Sequence, residues 1–377
     1  MWSFDIVYII INLILIVIFI FSGIKVSKGA NPKPYILLCT FMFMLVLGSR
    51  YMRGNDYIRY QETFLKDDDA DEVLFTFLNQ FLRGIGFTKY TFLYVYSIPF
   101  AYCGLSFVSK FNKYAAWMFP TFLIAFILFD EYCIRQALSF SFLFPFLFHL
   151  LNLYESKHKL RDIFICLMFA IIASSIHIVN ALIIVILLII YLLSFNLISW
   201  KISIPIYLFV AFVASKTIDW DLFSNTLVAL GTVSPKLGKF VARSNQFFSE
   251  DAFQEDWSRS FAGQIFEALG HCCLIYLGYK VFAIKWRLRK YYTLYNIYVV
   301  GSVMDRLFWN FELLRRVFDP ILAFWCFVFS FVVVDWKKIK LNTIEITMIM
   351  GLTYFIYERG VKYLFQRGEM TLFLWDV

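Results

Sequence analysis

The chain has 377 residues, 61% of them hydrophobic and only 16% charged, with a formal net charge of +8. A mean hydropathy of +0.70 leaves too little polar surface to cover a soluble core of this size, which excludes a soluble domain. Apolar runs near the ~20 residues that a helix needs to cross a bilayer recur along the chain. The short, strictly alternating segments of an outer-membrane barrel are absent. Helices also satisfy their own backbone hydrogen bonds, which lipid does not.

In chain order the runs predict twelve spans, at about 5–24, 35–50, 88–108, 114–130, 134–154, 162–176, 178–196, 202–216, 263–284, 291–305, 316–335 and 341–357. Residues 5–24 lack a basic leader and a small-residue cleavage site, so they predict a retained first span rather than a secretory signal. The polar stretches 51–87 and 217–262 are predicted as substantial loops. The first holds an amphipathic piece, Val73 to Leu82, suited to the membrane interface. The seven cysteines lie mostly inside apolar runs with no CxxC pair, which reads as small hydrophobes rather than a disulfide or zinc framework. The expected architecture is all-α: one integral membrane domain over 1–377, a polytopic helical bundle without internal repeats.

Charge sets the orientation. One alternating set of loops carries seventeen Lys and Arg against three acids, and that side is assigned to the cytoplasm. The opposite side holds eighteen cations and twenty-four acids. Both termini then face outward. The basic balance is therefore a topology signal and not a nucleic-acid signal. The inner loops use fourteen Lys and three Arg, whereas the outer side uses six Lys and twelve Arg. Topology needs only charge, but arginine's planar fork suits phosphate or carboxylate. The bias points to an anionic ligand outside; the plainer reading is that these Arg pair with the abundant outer acids.

Four outward clusters carry candidate chemistry. The first, Arg50 to Tyr60, leaves span two with Arg50 at the boundary, where charge is costly unless paired or functional. Gly54-Asn55-Asp56 is turn-forming and brings Asp56 toward Arg50 and Arg53, either as a local interfacial anchor or as part of a site. The second runs from Asp130 to Gln136, where Arg135 enters a long apolar helix and Glu131, at i−4, offers a bland partner. The third, Ser174-Ser175-Ile176-His177, places a histidine at a helical hairpin, either simply hydrogen-bonded or acting as acid or base. The fourth spans Asp305 to Asp319. There Arg315 and Asp319 have the spacing of a helix salt bridge, and Arg306 and Arg316 have no obvious local partner. Four clusters on one face are what a single shared site at the outer surface requires.

Weaker features complete the reading. The acidic run Asp67 to Glu72 is either solvated or a divalent-cation site, the former being commoner. The 217–262 stretch, with Lys236, Lys239, Arg243 and Arg259, is a surface loop or a substrate cover. No Walker, dinucleotide or HExxH pattern occurs, so no cofactor or metal is expected and an ATP-driven pump is disfavoured.

At these residues the sequence resembles the EpsG-like branch of the Wzy-type polysaccharide polymerases. The resemblance rests on Arg50-x-x-x-Gly54-x-Asp56-Tyr57-x-x-Tyr60, then Glu72-x-x-Phe75-x-x-Leu78-Asn79. It continues through Ile134-Arg135-Gln136-Ala137-Leu138 and Ala173-Ser174-Ser175-Ile176-His177-Ile178-Val179-Asn180-Ala181-Leu182, over roughly residues 40–190. Asn55 stands where Thr is expected. The C-terminal half is similar only in being hydrophobic with outward Arg.

The resemblance implies a GT-C-like fold in the bacterial cytoplasmic membrane, with the active face periplasmic or extracellular. It implies a glycosyltransferase that joins oligosaccharide repeat units carried on undecaprenyl diphosphate, for capsule, O-antigen or exopolysaccharide. Its partners would be a lipid-linked donor, a lipid-linked acceptor, membrane lipids and a chain-length regulator, with no nucleic acid. On this reading Arg135, Arg306 and Arg316 hold the diphosphate, and Arg50 and Arg53 assist or bind the second lipid's diphosphate. His177 or Asp56 is the base, and Tyr57, Tyr60 and Gln136 face sugars. Three alternatives stand beside it. A flippase for the same lipid would need a polar path that the nearly charge-free spans do not offer. A sugar acyltransferase would need more than topogenic Lys on its inner loops. A glycan ligase would use almost the same chemistry.

Overall fold

Local sequence sets the ends of the first helices. Helix α1 (Phe4–Ser27) stops where Gly29 takes φ +90°, a conformation glycine adopts at least cost, and Ala30 N–H closes onto the Lys25 carbonyl at 3.1 Å. Helix α2 (Pro32–Gly48) opens with Asn31 Oδ1 accepting from Lys33 N–H at 3.2 Å, and with Pro32 in the first turn, where a missing N–H costs nothing.

The computed structural model describes residues 4–51, 57–66, 72–217, 261–285, 288–309, 312–336, 345, 347–348, 351–352, 356 and 372–373. Among these the fold is helical but for one antiparallel ladder, in which β1 (Arg50–Tyr51) pairs with β2 (Leu372–Phe373), Arg50 opposite Phe373. Helices α3 (Tyr57–Lys66) and α4 (Val73–Gly84) follow. Helix α5 (Phe92–Val108) turns through Ser109–Tyr114 into α6 (Ala115–Tyr132). Next come α7 (Ile134–Ser141), α8 (Leu143–Asn152), α9 (Lys159–Ile176) and α10 (Val179–Leu193). Helix α11 (Trp200–Phe209) passes through a π turn into α12 (Ser215–Thr217). The C-terminal half holds α13 (Phe261–Lys285), α14 (Arg289–Leu307), α15 (Glu312–Leu322) and α16 (Trp325–Asp335).

Eleven of the predicted spans fall on helices, and 341–357 lies largely outside the described residues. Five helical stretches are long and apolar enough to cross a membrane: Ile9–Ser27, Phe92–Ile127, Ile134–Asn152, Ala262–Ala283 and Leu314–Asp335. Pro32–Gly48, Val179–Leu193 and Trp200–Ala214 are apolar but shorter. At ~1.5 Å per residue, α10 reaches ~22 Å, short of a ~30 Å hydrocarbon layer. The chain is a helical, multi-pass membrane protein.

Within the stretch 51–87 the expected amphipathic piece, Val73 to Leu82, is helix α4. Much of the stretch is folded as α3 and α4, joined where Arg83 Nη1 donates to the Leu65 carbonyl at 2.6 Å. Along α4 the residues Val73, Phe77 and Phe81 are exposed, while Phe75, Asn79 and Leu82 are buried on the opposite side. Residues 218–260 of the second stretch lie outside the described ones.

Two cores organise the packing. The larger gathers α1, α2, α5, α6, α8 and the C-terminal helices around aromatic contacts. Phe100, for example, meets Phe122 at 6.1 Å, Phe126 at 5.7 Å and Phe144 at 5.7 Å. Within lipid, close van der Waals fit rather than exclusion of water holds such helices together. The smaller core collects Tyr57, Phe64, Phe75, Phe92, Tyr96, Ile134, Leu138 and Ile176, and it sits directly beneath the polar residues described next.

One glycine fixes the C-terminal hairpin. A Cβ at Gly301 on α14 would lie 2.7 Å from Leu322 N and 2.8 Å from Ile321 C on α15, backbone atoms with no freedom to step aside. Gly301→Val is expected to cost at least about 1–3 kcal/mol by overpacking. Thermal unfolding in detergent checks this; an unchanged midpoint would show that the hairpin opens without penalty.

Candidate active site

The helix break at Cys133, before α7, shapes the site. Cys133 has φ −118° and ψ 52°, so α6 ends and α7 begins with a change of direction. Arg135 and Glu131 therefore stand on two helices, α7 and α6. Arg135 pairs with Glu72, at the N-cap of α4: its Nη1 lies 2.9 Å from Glu72 Oε2. The Arg135 guanidinium also stacks 5.6 Å over the ring of Phe75, one turn into α4.

His177 completes the group from a third direction. It takes an extended conformation (φ −152°, ψ 116°) that ends α9, and its N–H still closes onto the Ala173 carbonyl at 3.1 Å. Its Nδ1 lies 2.5 Å from Glu72 Oε1. One carboxylate therefore bridges an imidazole and a guanidinium. The three side chains keep 10%, 15% and 14% of their surface for Glu72, His177 and Arg135, so the group is sheltered without being sealed.

Buried polar bonds hold this junction from below. Ser139 Oγ donates to the Ala173 carbonyl at 2.6 Å, and Asn180 Nδ2 donates to Ser139 Oγ at 2.5 Å and to the Gln136 carbonyl at 3.2 Å. Tyr96 hydroxyl donates to Asn79 Oδ1 at 2.6 Å and anchors α4. Inside an apolar bundle each bond avoids the cost of a stranded polar group. Gln136 Nε2 donates to the Arg316 carbonyl at 2.8 Å, which brings α15 against α7.

Of the residues expected at the site, Arg135, His177 and Gln136 meet, and the Arg316 backbone joins them. Gln136 is only 4% exposed and serves as a strut rather than as a sugar contact. Tyr57 is 2% exposed within the smaller core, so its ring does not present a stacking face; Tyr60 packs at that core's edge. Arg50 is fully buried. Arg53 and Asp56 lie outside the described residues, as does the 67–71 part of the acidic run.

Arg306 stands in a second polar group. It forms an ion pair with Glu267 of α13 and lies 4.4 Å from the ring of Trp309. Arg315 approaches that same indole at 5.1 Å and pairs with Asp319 at 3.9 Å, the helix bridge its spacing suggested. One turn beyond Glu267, His271 Nδ1 lies 2.9 Å from the Tyr298 hydroxyl, and its ring is 5.4 Å from that of Tyr207. Among the described residues no group of three His, Cys, Asp or Glu is placed to hold a metal ion.

Glu72, Glu267, His271 and Trp309 were not singled out as site residues. For Glu72 a signal existed. Glu72, Phe75 and Asn79 recur at helical spacing, which places them on one face of α4. Arrangement and chemistry together suit binding of an anion beside a group able to accept a proton. A family model described as EpsG family matches residues 33–365. No curated protein and no solved structure matches the chain.

Proposed function

The chain belongs to the EpsG family, and from that premise we propose that it polymerises lipid-linked oligosaccharide repeat units into a surface polysaccharide. The reaction takes place at the outer face of the bacterial cytoplasmic membrane. The substrates are a growing glycan and a single repeat unit, each on undecaprenyl diphosphate. A hydroxyl of the acceptor sugar attacks the donor's anomeric carbon. The new oxygen–carbon bond forms, the bond from that carbon to the diphosphate oxygen breaks, and undecaprenyl diphosphate leaves. The acceptor proton passes to a base.

The observation that carries this reading is the meeting of Arg135 and His177 on one carboxylate, Glu72. Negative charge grows on the leaving diphosphate, and a preoriented guanidinium beside it lowers the barrier. A guanidinium carries five N–H donors in a fixed fork, so pairing with Glu72 does not exhaust what Arg135 can donate. Arg316, tied to α7 through Gln136, supplies a second cation from the C-terminal half. Arg306 and Arg315, both against Trp309, supply further positive charge there, and Arg53 serves the second lipid. His177 is placed to take the proton, and Tyr60 to meet a sugar. A lipid diphosphate is already an activated leaving group, so no nucleotide is needed.

The proposal keeps twelve spans, with Lys-rich loops in the cytoplasm and both termini outside. It places α4 at the outer interface, its exposed Val73, Phe77 and Phe81 against lipid and its Glu72 end at the site.

The length distribution of the surface glycan and its lipid-linked precursors tests the function. A strain lacking the gene is expected to show single-repeat glycan, and long chains return with the wild-type gene. Long polymer in the deletion strain removes the polymerase reading. Polymer left on its lipid would instead indicate a ligase, and precursor held inside would indicate a flippase.

A further inference from the structure

We propose that Glu72 is the positioning residue of His177: its carboxylate accepts a hydrogen bond from Nδ1–H and leaves Nε2 as the nitrogen that takes the acceptor hydroxyl's proton. This rests on the polymerase reading and deepens it by choosing His177 over Asp56 as the base.

The argument begins with what each group can donate. Glu72 Oε2 lies 2.9 Å from the Arg135 guanidinium, a permanent cation and its ion-pair partner. An ionised carboxylate has only lone pairs to offer. The 2.5 Å contact between Glu72 Oε1 and His177 Nδ1 therefore requires the proton to sit on Nδ1. A neutral imidazole has one N–H, so Nε2 then carries the lone pair. In water the opposite tautomer predominates. The carboxylate thus selects the rarer form, fixes the ring's orientation, and stabilises the imidazolium that appears once Nε2 has taken a proton.

The carboxylate is itself held from several sides. Glu72 caps α4, where its carbonyl accepts Thr76 N–H at 3.0 Å. Phe75 lies beneath Arg135, and Asn79 is anchored by Tyr96. Histidine, carboxylate and arginine come from the α9–α10 turn, α4 and α7, three separate segments. Local helix spacing does not produce such a meeting. A lone carboxylate in this sheltered place would be costly; Oε1 is hydrogen-bonded to His177 and Oε2 is ion-paired with Arg135.

The test uses the full-length protein in detergent or nanodiscs with a lipid-linked repeat unit as substrate. Glu72→Ala and His177→Ala are compared by kcat and KM, with Glu72→Asp as the conservative replacement. Each alanine is expected to lower kcat about 100-fold or more, with KM little changed. Glu72→Asp is expected to recover part of the rate. Wild-type kcat in Glu72→Ala would overturn the proposal.

A second measurement is independent of turnover. Nitrogen-15 spectra of histidine-labelled protein at alkaline pH report the tautomer of His177, its signal identified by its loss in His177→Gln. Wild type is expected to show Nδ1–H, and Glu72→Ala to revert to Nε2–H. An Nε2–H tautomer in the wild type overturns the proposal whether or not the protein elongates glycans. The Nδ1–H tautomer in a protein without polymerase activity would keep the pair and remove the function.

Discussion

Replacing Arg135 with alanine is expected to lower the rate of glycan elongation by about 100- to 1,000-fold, the usual effect of removing one preoriented donor from developing negative charge. The residue sits where α7 starts, stacked on Phe75 and paired with Glu72, so its fork is oriented before substrate arrives. Arg135→Lys keeps the charge but loses the planar pair of donors and the stacking. It is expected to retain at most about a tenth of the wild-type rate. Both variants are read against membrane abundance, since Glu72 loses a cationic neighbour in Arg135→Ala. Full activity in Arg135→Lys would remove the clamp, because a point charge would then suffice.

The second large effect concerns Glu267. Its side chain is 3% exposed and pairs with Arg306, itself 8% exposed. Removing one member of a buried ion pair typically costs up to about 3–5 kcal/mol, and the remaining hydrogen bond of Arg306 with Tyr207 offsets part of that. Against a typical total stability of about 5–15 kcal/mol this is a large loss, and Glu267→Ala is expected to lower the unfolding midpoint strongly. The double variant Glu267→Ala/Arg306→Leu is expected to regain much of that stability. It also separates two roles for Arg306. If Arg306 binds diphosphate, the double variant is folded and slow; if it only balances Glu267, the double variant is folded and active.

These two arginines show what the sequence made legible. That both mattered was readable, since a charge at a membrane boundary or inside a span is expensive. Their partners were not readable. The i,i+4 rule found Arg315 with Asp319, but it gave no sign of Glu72 as a partner of Arg135. Cysteine carries no strong breaking signal, and nothing local announces the change of direction. Glu72 and Glu267 reach their arginines from other helices, so only tertiary packing pairs them. His177 was legible as a hairpin histidine, and its carboxylate came from the quoted Glu72–Asn79 motif without being recognised as a site residue.

The helices were legible for a related reason. Uninterrupted apolar sequence forces backbone hydrogen bonds inward, so helix positions followed directly. Whether each helix spans is a matter of length, and α10 shows that an apolar helix may fall short of the hydrocarbon thickness. Helix α3 was hidden in a polar stretch because its buried residues, Tyr57, Thr63 and Phe64, give only a brief pattern. The glycine contact of Gly301 with α15 was also invisible, since a close backbone approach depends on the neighbour and not on the glycine.

The most direct test of the central claim supplies the purified protein in nanodiscs with one defined repeat unit on undecaprenyl diphosphate and nothing else. The account predicts a ladder of longer lipid-linked glycans, with one undecaprenyl diphosphate released for each bond formed, and loss of both in His177→Ala. Unchanged single-repeat lipid with no released diphosphate, from protein whose fold is verified, would contradict it.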